Sequence, residues 1–286
     1  MIKNKIDIVL RTCARTGLFD QSRVPRIVSD DRFTMIRKCI RSLIISINNS
    51  DKDITLTVFD DQSDPKDVLE IKKILDICKV PATFVTTKVR GYNNSAYEQF
   101  KYGRDHGREL VYYVEDDYFH DPDAINLLVD TYNHFRSLSG SSEIAICPWE
   151  QPEEYEIKYI IPCKIFHFAN HYWRTTISTS CTVLWPVELV RVGWKYFESM
   201  ALDYGIVAGV EEMNTIGLLL NNAVNQRTNA EIPELSAIGF SPIPSIALHI
   251  HHFGQGTPKN LDTKMFDWQK RWQELADPNE LNSGSS

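Results

Sequence analysis

Residues 109–117 read Glu-Leu-Val-Tyr-Tyr-Val-Glu-Asp-Asp, a run of strand-forming side chains that ends on three adjacent carboxylates. Tyr and Val favour a pleated, half-buried surface. Three anions at the tip of such a strand repel one another and lose hydration if buried. They make sense around a cation. Hard divalent ions such as Mg²⁺ and Mn²⁺ take oxygen ligands, commonly one or two carboxylates completed by substrate phosphates. In extended backbone Glu115 and Asp117 share a side while Asp116 faces the other. The alternative is a solvated acidic turn, which the following His120-Asp121-Pro122 would suit.

Strands and helices alternate on the N-terminal side of this run. IDIVLRT is a short strand pattern, and a polar loop covers 14–31. Phe33, Ile36, Ile40, Leu43, Ile44 and Ile47 then recur at helical spacing. DITLTVFDD alternates as a strand and closes on Gln-Ser-Asp-Pro, a turn and helix-start signal. PKDVLEIKKILDIC is an amphipathic helix and ATFVTTKV another strand. Asn93, Asn94 and Ser95 offer caps for the helix AYEQFKYGRDHG, which Gly107 would end. This β-α-β-α-β-α-β order predicts an α/β fold, a mostly parallel sheet with helices on its faces. Ligands of such sheets bind outside the carboxyl ends of the strands. Asp60-Asp61 and Glu115-Asp116-Asp117 both fall at such ends, so two acidic clusters are expected on one edge.

The second half is less regular. SEIAICPW, STSCTVLWP and SIALHIHHF look like strands, 209–222 and 261–275 like helices, and 149–175 like a loop-rich aromatic segment. No internal repeat or linker interrupts the chain, so 1–276 is expected to form one domain and 277–286 a flexible tail.

Composition narrows the function classes. The 286 residues are 43% hydrophobic and 24% charged, ordinary for a globular chain. The net charge of −7 argues against a nucleic-acid binder driven by backbone contacts. No run approaches the roughly 18–20 apolar residues that span a bilayer. The apolar run Ile6–Leu10 is interrupted by Asp7 and shorter than the roughly 7–15 residues of a signal-peptide core. The six cysteines lack CxxC spacing and read as reduced thiols of a cytoplasmic protein.

Four motifs in register give the first 125 residues a resemblance to the nucleotide-binding half of GT-A glycosyltransferases, especially the family-2-like group. Arg11-Thr12-Cys13-Ala14-Arg15 is similar to the Pro-Thr-x-x-Arg-like loop after the first strand, without its Pro. Asp60-Asp61-Gln62-Ser63 is similar to the Asp-Asp-Gly-Ser pattern after the second. Asn93-Asn94-Ser95 falls where the family often has Ala-Arg-Asn-x-Gly, whose Arg approaches the nucleotide; Arg90, Arg11 or Arg15 would have to replace it. Glu115-Asp116-Asp117 is similar to the Asp-x-Asp metal motif, with Glu in first place.

The resemblance implies a metal-dependent transfer of sugar from a nucleotide-sugar, with a UDP-sugar as the expected donor, to a glycan or other hydroxyl acceptor. It makes 1–125 the nucleotide-sugar-binding half and 126–276 the acceptor side. Arg11, Thr12, Arg15, Asp60, Asp61, Asn93, Asn94, Glu115 and Asp116 become candidates for the donor site, with Asp60 and Asp61 on uracil and ribose. Asp117 would bind Mn²⁺ or Mg²⁺ bridging the diphosphate. A nucleoside diphosphate leaves with developing negative charge, which a metal on both phosphates stabilises.

Glu211 and Glu212 precede an apolar helical run. Acids in a first turn favour the helix dipole without any catalytic role. The family's acidic pair at this place makes Glu212 the base of an inverting enzyme, with Glu211 as its neighbour or substitute. In LHIHHFGQGT, His252 is the first choice and His251 the second for a late metal ligand. Trp149 and Trp173, in the aromatic middle segment, are candidates for an acceptor platform, although core packing explains most such rings. A retaining glycosyltransferase, a sugar nucleotidyltransferase and a non-catalytic carbohydrate- or nucleotide-binding domain remain as alternatives.

Overall fold

The computed structural model describes residues 4–15, 28–88, 90–140, 143–150, 163–176, 182–194, 197–198, 237–250 and 267–275. The first half follows the expected alternation: β1 (Lys5–Thr12), α1 (Arg32–Asn49), β2 (Asp53–Asp60), α2 (Pro65–Leu75), β3 (Ala82–Thr86), α3 (Tyr92–His106) and β4 (Leu110–Glu115). Asp31 caps α1 by accepting from the Thr34 amide at 3.0 Å. The acidic triplet runs through a tight turn into β5 (Tyr118–His120), followed by α4 (Ala124–Ser139) and β6 (Ile144–Ile146). Then come β7 (Ile165–Phe168), β8 (His171–Thr176), β9 (Val183–Pro186), α5 (Val187–Val192), β10 (Ile238–Ile243), β11 (Ala247–His249) and α6 (Trp268–Glu274).

Nine strands form one sheet in the order β3-β2-β1-β4-β9-β6-β10-β8-β7, and β11 pairs with β5 in a separate ribbon. The pairs among β3, β2, β1 and β4 are all parallel. Only β9 and β8 run against the rest of the sheet. This is the expected α/β class, mostly parallel and flanked by helices.

The chain leaves β1 toward β2 and β3, then returns to place β4 on the other side of β1. The order therefore reverses between β1 and β4, where crossovers depart in opposite directions and open a crevice at the carboxyl ends. Central strands are buried on both faces, as parallel strands must be. Ile6, Ile8 and Leu10 of β1 join the core beneath α1 and α4, and Val9 joins the opposite layer with Ala96 and Phe100 of α3. Gly103 lets α3 approach β4 closely, because a Cβ there would collide with the buried Tyr113 ring.

The structure corrects the sequence reading in several places. Helix α3 starts at Tyr92 after Gly91, so Asn93 and Asn94 lie inside its first turn and cap nothing. Gly91 sits at φ +119°, a backbone open to glycine. Part of the expected irregular segment 149–175 forms a β7–β8 hairpin, with Ala169 and Asn170 both at positive φ in its two-residue turn. β5 and β10 are additional strands. The expected helix 209–222 lies outside the described residues. No described helix is long and apolar enough to cross a membrane.

Candidate functional site

Backbone hydrogen bonds tie the strand ends into one edge. The Asp61 amide donates to the Thr12 carbonyl at 2.8 Å, the Asp64 amide to Ala14 at 2.8 Å, and the Thr87 amide to Asp60 at 2.9 Å. Gln62, at φ +51°, donates from Nε2 to the carbonyls of Thr87 and Lys88 at 3.0 and 3.1 Å and accepts from Arg90 Nε at 2.7 Å. The tips of β1, β2 and β3 thus hold one another before any ligand arrives.

Asp60 is 0% exposed. Its carboxylate accepts from the Ser63 amide at 3.0 Å, from Thr12 Oγ1 at 3.2 Å and from Ser63 Oγ. That is an Asx-type turn closed on itself, which engages the Asp60 carboxylate and the Thr12 hydroxyl within the fold. Asp61 is 2% exposed and accepts from the Gly91 amide at 3.0 Å and from Arg15 Nη2 at 2.9 Å. Both contacts hold Asp61 within the fold.

The three carboxylates of the triplet diverge. Glu115 is bound by the Arg11 guanidinium, with Tyr92 Oη at 3.3 Å. Asp116 turns inward: Oδ2 accepts from the Cys13 amide at 2.7 Å and Oδ1 lies 3.6 Å from Arg32 Nη2. Arg32 also donates from Nε and Nη2 to the Cys13 carbonyl at 3.3 and 3.2 Å. Burial pushes the Asp116 carboxyl up to about 6, against the pull of Arg32 and with the repulsion of Asp117 added. Asp116 is thus a buried counter-ion, and Glu115, partly exposed, is paired with Arg11.

Asp117 is the member that faces another metal-binding side chain. Its Oδ2 lies 3.2 Å from His249 Nε2. β11 runs antiparallel to β5 with His249 opposite Tyr118, and the Ile250 amide donates to the Asp117 carbonyl at 2.9 Å. The Tyr118 ring stacks on His249 at 4.6 Å, and Trp149 meets it edge-on at 5.3 Å. The imidazole is therefore held between two aromatic rings. Carboxylate oxygen and imidazole nitrogen are a fitting donor pair for a divalent ion such as Mn²⁺. Among the described residues no group of three or more His, Cys, Asp or Glu side chains converges, so this pair by itself leaves the shell of a divalent ion incomplete.

His251, His252, Glu211 and Glu212 lie outside the described residues. Trp173 is corrected: it is 0% exposed, donates from Nε1 to the Phe168 carbonyl at 3.2 Å and packs against Phe135. Period-two alternation along β8 turns Trp173 inward and leaves Tyr172 outward. Trp149 is also buried, in the wall that supports His249. Asn94 donates to the Arg90 carbonyl at 2.9 Å, and Asn93 is half-buried one residue earlier.

Sequence reasoning missed Arg32, Tyr92 and His249 as parts of this edge. His249 stood in the histidine cluster; the signal was its place in the strand just before the apolar Ile250. Arg32 gave no local signal, since its partners are 19 and 84 residues away.

No family model matches the sequence, and no curated protein matches it. Solved structures align with this chain at low identity. Galactosyltransferase LgtC, in complex with donor and acceptor sugar analogues, is 14% identical with a TM-score of 0.47, over 96% of this chain and 98% of that one. S. aureus TarS 1–349 in complex with UDP is 13% identical with a TM-score of 0.44, over 83% and 60%. The 4-diphosphocytidyl-2C-methyl-D-erythritol synthase from Anaerococcus prevotii is 14% identical with a TM-score of 0.40, over 96% and 97%. This chain spans 55% of another TarS 1–349 structure. The ligands named are those of TarS and LgtC.

Proposed function

We propose that the protein is a nucleotide-sugar-dependent glycosyltransferase whose donor occupies the crevice between the carboxyl ends of β1 and β4. One observation carries this reading: the reversal point of the sheet collects Arg11, Arg15 and Arg32 together with the partly buried Asp117–His249 pair. A reversal point is where open α/β sheets bind ligands, and mixed cationic and metal-binding chemistry suits a diphosphate.

Asp117 and His249 would hold Mn²⁺ or Mg²⁺, which supplies positive charge to the diphosphate as the donor leaves. Arg15 and Arg32 border the same crevice and stabilise the same charge through guanidinium hydrogen bonds. Transfer then consists of attack by an acceptor oxygen on the anomeric carbon. The bond from that carbon to the diphosphate oxygen breaks, and its electron pair leaves with the nucleoside diphosphate. Glu212, or Glu211 in its place, takes the acceptor's proton in an inverting reaction. Glu212→Gln would keep donor binding and lower transfer by roughly 100-fold or more; unchanged transfer would move the base elsewhere or favour retention.

The reading is tested by incubating the protein with a panel of nucleotide sugars, acceptor glycans and Mn²⁺ while monitoring nucleoside diphosphate release. Release from one donor supports it. Pyrophosphate formed from a nucleoside triphosphate and a sugar phosphate would replace it with a nucleotidyltransferase, and donor binding without turnover would replace it with a binding domain.

A further inference from the structure

With Asp60 closed inside its turn and Asp61 held by Arg15 and Gly91, the expected contacts to a nucleobase are already committed. We propose that Tyr92, braced by Arg11, is the platform on which the nucleobase of a nucleoside diphosphate stacks. This rests on the nucleotide-sugar reading above.

Tyr92 begins α3 directly after Gly91, whose amide binds Asp61. It is fixed at three points. Its carbonyl accepts from Arg11 Nη1 at 3.0 Å, its ring lies 3.9 Å from the Arg11 Cζ, and its hydroxyl lies 3.3 Å from Glu115. Yet the residue keeps 47% of its surface exposed. Ordering a large side chain costs conformational entropy that burial normally offsets. Here the ring is held on one side by Arg11 while nearly half of the residue's surface stays in solvent beside the acidic triplet. A planar heterocycle laid on that ring would cover apolar surface without needing Asp60. Every base has a π-face, so stacking discriminates weakly among bases. Base selectivity is accordingly modest, with UDP and GDP binding comparably.

Equilibrium binding of UDP and of inorganic pyrophosphate, each with Mn²⁺, tests this on wild type, Tyr92→Phe and Tyr92→Ala. Tyr92→Phe keeps the ring and binds UDP like wild type. Tyr92→Ala weakens UDP by roughly 5- to 150-fold, the span of base–aromatic stacking, and leaves pyrophosphate unchanged. UDP binding unaltered in Tyr92→Ala would overturn the platform while leaving the donor site standing. Equal loss of both ligands would also overturn it, because the ring would then serve only the Arg11–Glu115 pair. A wild-type protein that binds pyrophosphate but no nucleotide would overturn the nucleotide reading and the platform with it.

Discussion

His249 Nε2 lies 3.2 Å from Asp117 Oδ2, joining the end of β11 to the turn after β4 across 132 residues of sequence. The contact singles out Asp117 from its two acidic neighbours. Asp117→Asn and His249→Ala should each weaken Mn²⁺-dependent donor binding by more than the roughly 10- to 100-fold that outer-shell changes cost. Glu115→Gln should leave that metal dependence in place. Calorimetric titration of Mn²⁺ with and without UDP checks the difference.

Arg32 clamps the loop after β1 to the turn after β4, since it meets both the Cys13 carbonyl and Asp116. Removing one partner of a buried ion pair strands the other. Arg32→Ala should therefore destabilise the fold by about 1–3 kcal/mol, the span for a hydrogen-bonded charged group. Adding Asp116→Asn to Arg32→Ala should recover part of that loss. A double-mutant cycle from urea unfolding measures the coupling, and additive effects would show that the clamp is absent.

His120 gives the stability a pH dependence of known sign. It is buried, with Nε2 2.9 Å from Tyr112 Oη and Nδ1 3.1 Å from the Tyr118 carbonyl. Burial pulls its pKa from 6.5 down to about 4. Between these values the unfolded chain binds a proton that the folded chain refuses, so stability falls as pH falls from 6.5 toward 4. The contribution is about 3 kcal/mol across that window. Asp116, raised from 3.8 to about 6, works the other way, because its folded form gains a proton first as pH falls. The two effects oppose each other in wild type. Comparing wild type with His120→Gln isolates the histidine: the variant should lose less stability on acidification, by urea denaturation at pH 7 and pH 4.5. Parallel pH profiles would contradict it.

Trp173 separates packing from recognition. As a core residue, Trp173→Ala should cost about 3–5 kcal/mol of stability, read as a lower thermal midpoint. Were it an acceptor platform, the midpoint would hold and only the acceptor KM would rise. Tyr172→Ala, on the outward side of the same strand, should leave stability nearly unchanged.

The alternation from β1 to β4 was legible because its periodicities are long and its turn residues conventional. Helix α1 (Arg32–Asn49) contains all six apolar residues from Phe33 to Ile47 whose spacing announced it, and Asp31 caps its start. Asn93-Asn94-Ser95 misled because cap-forming side chains also occur inside helices, and the start was decided by the backbone of Gly91. The strands β5, β7 and β8 are short or aromatic-rich, and β5 and β10 pair with strands far off in sequence, so local pattern did not separate them from loops. In the site, the positions of the carboxylates could be read but their partners could not. Arg11 meets Glu115 across 104 residues and Arg32 meets Asp116 across 84, contacts made by the fold alone. Asp60 and Asp116 looked like ligand acids because sequence shows charge without direction. Burial turned both inward.

A crystal soaked with Mn²⁺ and UDP, measured at a wavelength where manganese scatters anomalously, tests the central claim most directly. The account expects an anomalous peak within coordination distance of Asp117 and His249, with the diphosphate of UDP beside it in the β1–β4 crevice. A peak elsewhere, or UDP bound away from that crevice while Asp117 and His249 keep only each other, would contradict it.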